Sequence, residues 1–365
     1  MIPAGCVYKC RGCKHRDWSM AESLAQKYTF VQSKLKPWAD KVEPVRSVEE
    51  AERWGYRSKT TLSANFNGNN WEFGMWARDE LISIPYCPIH SSNANKIFEL
   101  IRENIPQTAD FRLAFIVLSR AQLVLVLKTK VKPSLDWVSE GFSQALKEVG
   151  IEGFWIHLNP SAGKRIFEKI TWHLLWGSPR STDYNGLLYG PAAFQQLIPK
   201  LYNQSLYETL SFFGLNSSDA VVDLYCGTGN SMNCWVKVGA KTIGVEQSGD
   251  AVDCAKVNIP EAIILRGACR QRIPQVNEWV LEQRNSSKRV LLYANPPRTG
   301  LEPEVLSWIV KDGLPSKIAY LSCSPGTLYK NLIFLTEKGY KLNRVIPFDF
   351  FPQTIHVECL ALLEL

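Results

Sequence analysis

Short runs of continuously apolar residues punctuate the second half of the chain: AVVDLY (220–225), KTIGVE (241–246), RVLLYA (289–294) and KIAYLSC (317–323). Runs of this length without strict alternation predict strands buried on both faces. The stretches between them carry helical spacing, and strands alternating with helices predict a doubly wound, mainly parallel α/β sheet. The chain ends in another apolar run, HVECLALLEL, which predicts one more strand added to that sheet. The first half reads differently, with short β-like runs and many tryptophans (Trp54, Trp71, Trp76, Trp137, Trp155, Trp172 and Trp176). Its most apolar stretch, FRLAFIVLSRAQLVLVLK from Phe111, is interrupted by Arg112, Arg120 and Gln122. It therefore predicts two adjacent strands rather than a membrane span. Gly, Pro, Ser, Asp and Asn cluster in GSPRSTDYNGLLYGP (177–191), which predicts a boundary between a domain over 1–185 and another over 186–365.

The 365 residues include 42 Lys and Arg against 35 Asp and Glu, a net charge of +7. That excess points mildly to a polyanionic partner, and it concentrates early: residues 1–60 hold 12 basic against 7 acidic side chains. The opening MIPAGCVYKC lacks the apolar core of a signal peptide, so a cytoplasmic location without membrane attachment is expected. In that compartment ten cysteines point to metal binding or catalysis rather than a disulfide framework. No segment suggests an obligate protein partner.

Candidate chemistry gathers at the predicted strand ends. The first strand runs into DLYCGTGN, where Gly227 and Gly229 let backbone approach a ligand at the carboxyl edge of an open α/β sheet. The second ends in Glu246, 23 residues beyond Asp223, where a carboxylate accepts both hydroxyls of an adenosine ribose. The loop is not G-x-G-x-x-G, which disfavours a dinucleotide. Loop, acid and the later NPPRTG (295–300) together point to S-adenosylmethionine. The prolines after Asn295 fix its backbone and aim its side chain at cofactor and target. Arg298 stands where amine-methylating enzymes carry an aromatic residue, which points away from adenine-N6 chemistry. A fifth feature is Cys323 in YLSCSPGTLYKN, at a strand's end before a Pro-Gly turn. Cys226, Cys234, Cys254, Cys269 and Cys359 read as packing residues. Cys6, Cys10 and Cys13 form C-x3-C-x2-C, with Cys87 in PYCPIH a fourth ligand candidate. Four thiolates suit tetrahedral zinc or a [4Fe–4S] cluster, and three cysteines plus a distant one followed by Pro lean to iron–sulfur. Arg11, Lys14, Arg16, Arg57 and Lys59 lie in the same half as candidates for phosphate contact.

Taken together, DLYCGTGN, IGVE, NPPRTGL, YLSCSPGTL, GYRSK and the ending FDFFPQTIHVE resemble the RNA uracil-C5 methyltransferases, which make 5-methyluridine. The resemblance implies a class I, Rossmann-like S-adenosylmethionine methyltransferase domain behind a cysteine-cluster, β-rich RNA-binding domain. It is strongest to the branch that acts on 23S ribosomal RNA without a TRAM domain: the cysteines begin almost at residue 1, four are suitably placed, and Asn295 opens the motif where other branches usually have Asp. The same reaction on a tRNA uridine and a non-catalytic RNA-binding factor are the alternatives. By motif match it implies Gln195, Tyr225, Asn230, Glu246 and Asn295 as cofactor residues, Cys323 as nucleophile, Glu358 as base and a [4Fe–4S] cluster on Cys6, Cys10, Cys13 and Cys87. One departure stands out: Leu197 replaces the Asn usual after Gln195.

The residue types suit that chemistry. Uracil C5 is a poor nucleophile until a thiolate adds to C6, and the C5 proton must then leave to a base. An Asn both donates to O4 and accepts from N3–H, which an ionised Asp cannot do. The target base must leave its stack, so a loop or an opened helix is the expected substrate region.

Overall fold

The computed structural model describes residues 2–162, 165–169 and 171–365. The chain divides into two compact units, each built from separated stretches: unit 1 comprises Met1–Asp17, Glu49–Asp183 and Tyr189–Leu197, and unit 2 comprises Trp18–Val48, Tyr184–Leu188 and Ile198–Leu365. Helix α1 (Met20–Lys34) therefore belongs with the carboxyl-terminal sheet, and Ser19 caps it with a side chain that accepts from the Glu22 amide.

Unit 1 is a mixed sheet of β1 (Lys59–Phe66), β2 (Trp71–Ala77), β3 (Glu80–Ser83), β4 (Leu113–Ser119), β5 (Gln122–Leu127), β6 (Gly153–Leu158) and β7 (Trp172–Gly177). They lie in the order β3-β2-β1-β4-β5-β6-β7. The apolar run from Phe111 forms β4 and β5, an antiparallel pair turned at Arg120 with φ 54°. Alternation sorts its side chains: Ile116, Leu118, Leu123 and Leu125 join the large core, while Val117, Val124 and Val126 meet Trp155 on the other face. The large core includes Ile97, Phe98 and Ile101 from α2 (Ser92–Asn104) and Phe142 and Leu146 from α3 (Glu140–Glu148).

Two short strands, β8 (Ser181–Thr182) and β9 (Leu188–Tyr189), lie in the connecting segment. Unit 2 then alternates helix and strand as the apolar runs predict. Its strands are β10 (Ala220–Leu224), β11 (Lys241–Glu246), β12 (Ile263–Arg266), β13 (Val290–Ala294), β14 (Lys317–Ser322), β15 (Lys341–Phe348) and β16 (Glu358–Glu364). Their order is β12-β11-β10-β13-β14-β16-β15. The first five pair in parallel, while β16 is antiparallel to both β14 and β15. Helices α4 (Pro199–Phe213), α5 (Asn230–Lys237), α6 (Gly249–Asn258), α7 (Cys269–Asn285), α8 (Pro303–Trp308) and α9 (Pro325–Glu337) supply the remaining layers. Strands β10, β13 and β14 are buried almost throughout, as expected of a sheet covered on both faces. Among the described residues no helix is long and apolar enough to cross a membrane.

A buried ion pair fastens α1 to this sheet. The Lys27 ammonium donates to Asp349 Oδ1, with both side chains fully buried, and at 3.1 Å to the carbonyl of Phe351. Ser47 donates to Asp349 Oδ2 at 3.2 Å, and the Asp349 amide donates to the carbonyl of Arg46 at 2.8 Å. These bonds anchor the loop that leads from β15 into β16. Removing one partner of a buried pair leaves the other charge uncompensated, so Lys27→Met should lower unfolding free energy in urea by about 3–5 kcal/mol. The double variant Lys27→Met/Asp349→Leu should recover most of that loss, whereas equal losses in both would show that the charges do not compensate one another.

Candidate active site at the sheet edge

The parallel strands of unit 2 all end on one edge, and the sequence candidates of that unit lie on it. After β10 the chain turns sharply through Tyr225 (φ 63°), Gly227 (φ 58°) and Gly229 (φ 88°) before α5 begins at Asn230. A Cβ on Gly229 would lie 2.9 Å from Ile259 Cγ1, so the loop requires glycine there on both conformational and packing grounds. The left-handed Tyr225 is held by a 2.5 Å hydrogen bond from its hydroxyl to Glu302 Oε2. Asn258 braces the loop from α6, donating to the carbonyls of Thr228 at 2.8 Å and Leu188 at 2.9 Å.

Glu246, at the end of β11, accepts from the Gly227 amide at 3.0 Å and from the Ser248 amide at 2.6 Å. Its carboxylate thus ties the glycine loop to the neighbouring strand, a role the sequence reading did not contain. Asn230 Oδ1 accepts from Asn185 Nδ2 at 3.1 Å. Gln195, by contrast, belongs to unit 1, where both its amide oxygen and nitrogen are buried without a hydrogen-bond partner among the described residues.

Beneath the loop, Asp223 is fully buried and accepts from Trp235 Nε1 at 2.7 Å. Burial raises its pKa to about 7, against the lowering effect of Ser231 and Trp235. Tyr202 and Tyr293 lie close enough that the charge on Asp223 adds to the burial that raises their own pKa values.

The second half of the edge is formed by β13, β14 and β16. Asn295 follows β13 directly, its amide donating to the carbonyl of Leu224 at 3.3 Å. Cys323 follows β14 directly, with Ser324 capping α9 next in sequence. In the antiparallel β14–β16 pairing Ser322 lies opposite Cys359, so one further step of register sets Cys323 against Glu358. Electrostatics agree: burial first, and then the charge of Glu358, raises the Cys323 pKa, while Arg298 lowers it by charge and by a hydrogen bond. Arg298 is thus a third member of this cluster. Sequence reading used it only to set aside amine chemistry, although its place two residues after a rigid Pro was visible.

The loops carrying Arg298 and Cys323 are fastened together. Thr327 Oγ1 donates to the carbonyl of Arg298 at 3.1 Å, and Asn331 Oδ1 accepts from the Leu301 amide at 3.2 Å and from Tyr320 Oη at 2.9 Å. Gly300 (φ 80°) is packed against them so closely that an added Cβ would lie 2.4 Å from Thr327 Cγ2. Of the cysteines read as packing, Cys226, Cys254, Cys269 and Cys359 are buried, while Cys234 is half-buried.

In unit 1, Cys6, Cys10, Cys13 and Cys87 are free, half-buried and line one small pocket. Burial and then the neighbouring Cys87 and Cys10 push the Cys13 thiol up to about 12. As placed, no group of three or more His, Cys, Asp or Glu among the described residues is drawn together as a metal site. Arg16 clasps the cysteine loop, donating to the carbonyls of Cys10 at 2.7 Å and Tyr8 at 3.0 Å. Lys59 points inward to the Ala193 carbonyl, and burial with nearby Arg120 pulls its pKa down to about 8. These two therefore serve internal contacts, whereas Arg11 and Lys14 are exposed.

The sequence model described as tRNA (Uracil-5-)-methyltransferase matches residues 275–365, the segment that carries Asn295, Cys323 and Glu358. Similarity to relatives extends along the whole chain. An uncharacterized RNA methyltransferase of Listeria innocua is 27% identical, over 100% of this chain and 83% of its own length. One from Protochlamydia amoebophila is 29% identical, over 98% and 82%. The chain is thus similar to RNA uracil-C5 methyltransferases in its last 91 residues and to RNA methyltransferases along its whole length. The fold is shared with a solved structure: the tRNA (uracil-54, C5)-methyltransferase of Pyrococcus abyssi, in complex with S-adenosyl-L-homocysteine, superposes with a TM-score of 0.71. That likeness covers 97% of this chain and 86% of the other at 18% identity.

The buried Asp223 gives this chain a measurable signature. Its pKa is higher folded than unfolded, so its neutral form favours folding and that contribution is lost as pH rises from about 4 towards 7. Asp223→Asn lacks the charge, and its stability relative to the wild type should rise by roughly 1.4 kcal/mol per pH unit across that window. Urea denaturation at several pH values measures this difference, and a flat difference would contradict the assignment.

Proposed function

We propose that this chain methylates C5 of a uridine in 23S ribosomal RNA, with S-adenosylmethionine as methyl donor, Cys323 as nucleophile and Glu358 as base. The observation that carries this reading is the convergence of Cys323, Glu358 and Arg298 where β14 and β16 meet. A thiol, a carboxylate and a cation at one strand edge match the three demands of uracil-C5 chemistry: addition at C6, proton removal from C5 and charge control.

The glycine loop suits the donor. It offers a tight backbone turn at the carboxyl edge, open space beside Gly227, and an acidic residue on the adjacent strand. Tyr225, Asn230, Glu246 and Asn295 of unit 2 would hold the donor, and the family resemblance adds Gln195 of unit 1, whose amide has no hydrogen-bond partner among the described residues. When bound, S-adenosylmethionine supplies an electrophilic sulfonium methyl group. Burial and Glu358 raise the Cys323 pKa and Arg298 offsets part of that rise; the thiolate adds to C6 and sends the electron pair towards O4. Asn295 donates to O4 and accepts from N3–H, which selects uracil over cytosine. After C5 is methylated, Glu358 takes its proton and the C6–S bond breaks, which returns Cys323 as thiolate.

Support for ribosomal RNA comes from the four-cysteine set and from Asn295 opening its motif. The family description names tRNA, which makes a tRNA uridine the second reading. We assign Cys6, Cys10, Cys13 and Cys87 to a structural [4Fe–4S] cluster: four free, half-buried thiols around one pocket are a donor set that fits it, with zinc as the competing ion. No step of the methyl transfer passes through it.

With labelled donor and RNA, Cys323→Ala should fall to background. Glu358→Gln should slow turnover by about 10²–10⁴-fold and accumulate a protein–RNA adduct that survives SDS. Full activity of Cys323→Ala would overturn the nucleophile. Mass spectrometry of RNA from a deletion strain locates the product: 5-methyluridine lost from tRNA alone would establish the second reading. An anaerobically purified protein should be brown and hold about four irons per chain, whereas a colourless zinc protein would replace the cluster.

A further inference from the structure

Unit 1 carries a groove of about 760 Å³ that plays no part in the chemistry above. It opens where β1 ends, β2 and β4 begin and β5 leaves the sheet. Its lining combines aromatic faces (Phe66, Trp76 and Phe115) with the cations Arg112, Lys128 and Lys130, and among the described residues includes no carboxylate. Arg112, Lys128 and Lys130 are exposed, and no ion pair among the described residues engages them. Trp76 is 51% exposed, unusual for the largest apolar side chain. These cations come from different connections: Arg112, in a left-handed conformation, precedes β4, and Lys128 donates its amide to the Arg112 carbonyl at 2.8 Å.

A second pocket of the same unit, about 520 Å³, provides the contrast. It is lined by Glu72, Glu99 and Glu103 against Arg102 alone. One hollow of unit 1 is thus set for a polyanion and the other repels it. Exposed aromatic rings interleaved with unpaired cations are what a flexible nucleic-acid strand needs, since bases stack on the rings while phosphates meet the charges. A helical duplex hides its base faces, and a protein partner requires no excess of one sign.

We infer that this groove binds a single-stranded stretch of the RNA substrate, stacking bases on Trp76 and pairing phosphates with Arg112, Lys128 and Lys130. The inference rests on the RNA methyltransferase reading, but its test does not use methylation. The probe is a fluorescein-labelled oligouridylate of about 10 nucleotides, titrated with the full-length protein and followed by anisotropy across a salt series. Lys128→Ala/Lys130→Ala should weaken binding and reduce the slope of log affinity against log salt by roughly 1.4, the share of two phosphate contacts on a single strand. Trp76→Ala should weaken binding about 5- to 100-fold and leave the slope unchanged, because stacking releases no counterions. Glu103→Gln, in the acidic pocket, serves as the control and should leave affinity within about two-fold.

Wild-type affinity and slope in the folded double-lysine variant would overturn the inference. So would equal affinity of the wild type for a duplex of the same length, or a change in self-association without a change in RNA affinity, which would make the groove a protein interface. Methyl transfer failing while these binding effects persist would overturn the proposed reaction and leave the groove standing.

Discussion

The antiparallel pairing of β16 with β14 is the constraint on which the site depends. Five parallel strands deliver their carboxyl ends to one edge, and a sixth parallel strand would place only its own final residue there. Because β16 runs the other way, its first residue arrives at that edge, and the register Ser322 opposite Cys359 carries Glu358 to Cys323. The pairing is inside the sheet, with β15 on its far side and Cys359 through Leu363 fully buried. A slip of one residue would turn that apolar set onto the opposite faces, so the core of unit 2 and the geometry of the pair are held by the same register.

The approach to β16 is fixed from outside the sheet. Lys27 and Asp349 are separated by 322 positions and meet with no exposure to solvent. Their cost in desolvation is offset by further bonds to Phe351, Ser47 and the Arg46 backbone. The amino-terminal helix is thereby part of the unit that holds Glu358, through a loop that it clamps a few residues upstream. The Cys323 side is braced differently, by Thr327 and Asn331 reaching from α9 to the loop of Arg298. One group of the candidate pair is placed by a buried charge, the other by a helix that begins two residues after it.

Much of this was legible in the sequence because the signals were local. Continuous apolar runs identified β10, β11, β13 and β14, and a strand end followed by glycine or proline marked each loop of the site. The break at Arg120 separated β4 from β5. What stayed illegible was pairing at a distance. Nothing in the spacing of α1 shows that Lys27 is buried, since lysines on an amphipathic helix ordinarily face water. Nor does GYRSK show that Lys59 turns inward to Ala193, or that Arg16 serves the backbone of the cysteine loop. Arg298 was overlooked for another reason: its neighbour Asn295 already filled the expected role, and only the structure places the guanidinium beside the thiol.

The same distinction governs how charge is used in the two units. The basic excess of residues 1–60 drew attention to the cysteine region, yet Arg16, Lys27 and Lys59 of that stretch are spent on internal contacts. Arg112, Lys128 and Lys130, which have no ion pair among the described residues, come from a second basic stretch, residues 111–132, with five basic and no acidic side chains, and the fold gathers them where β4 begins and β5 ends. Net charge therefore indicates that a polyanion is bound without indicating where. Position follows from which cations the fold leaves without carboxylate partners and sets beside exposed rings, and in unit 1 those conditions coincide at the groove.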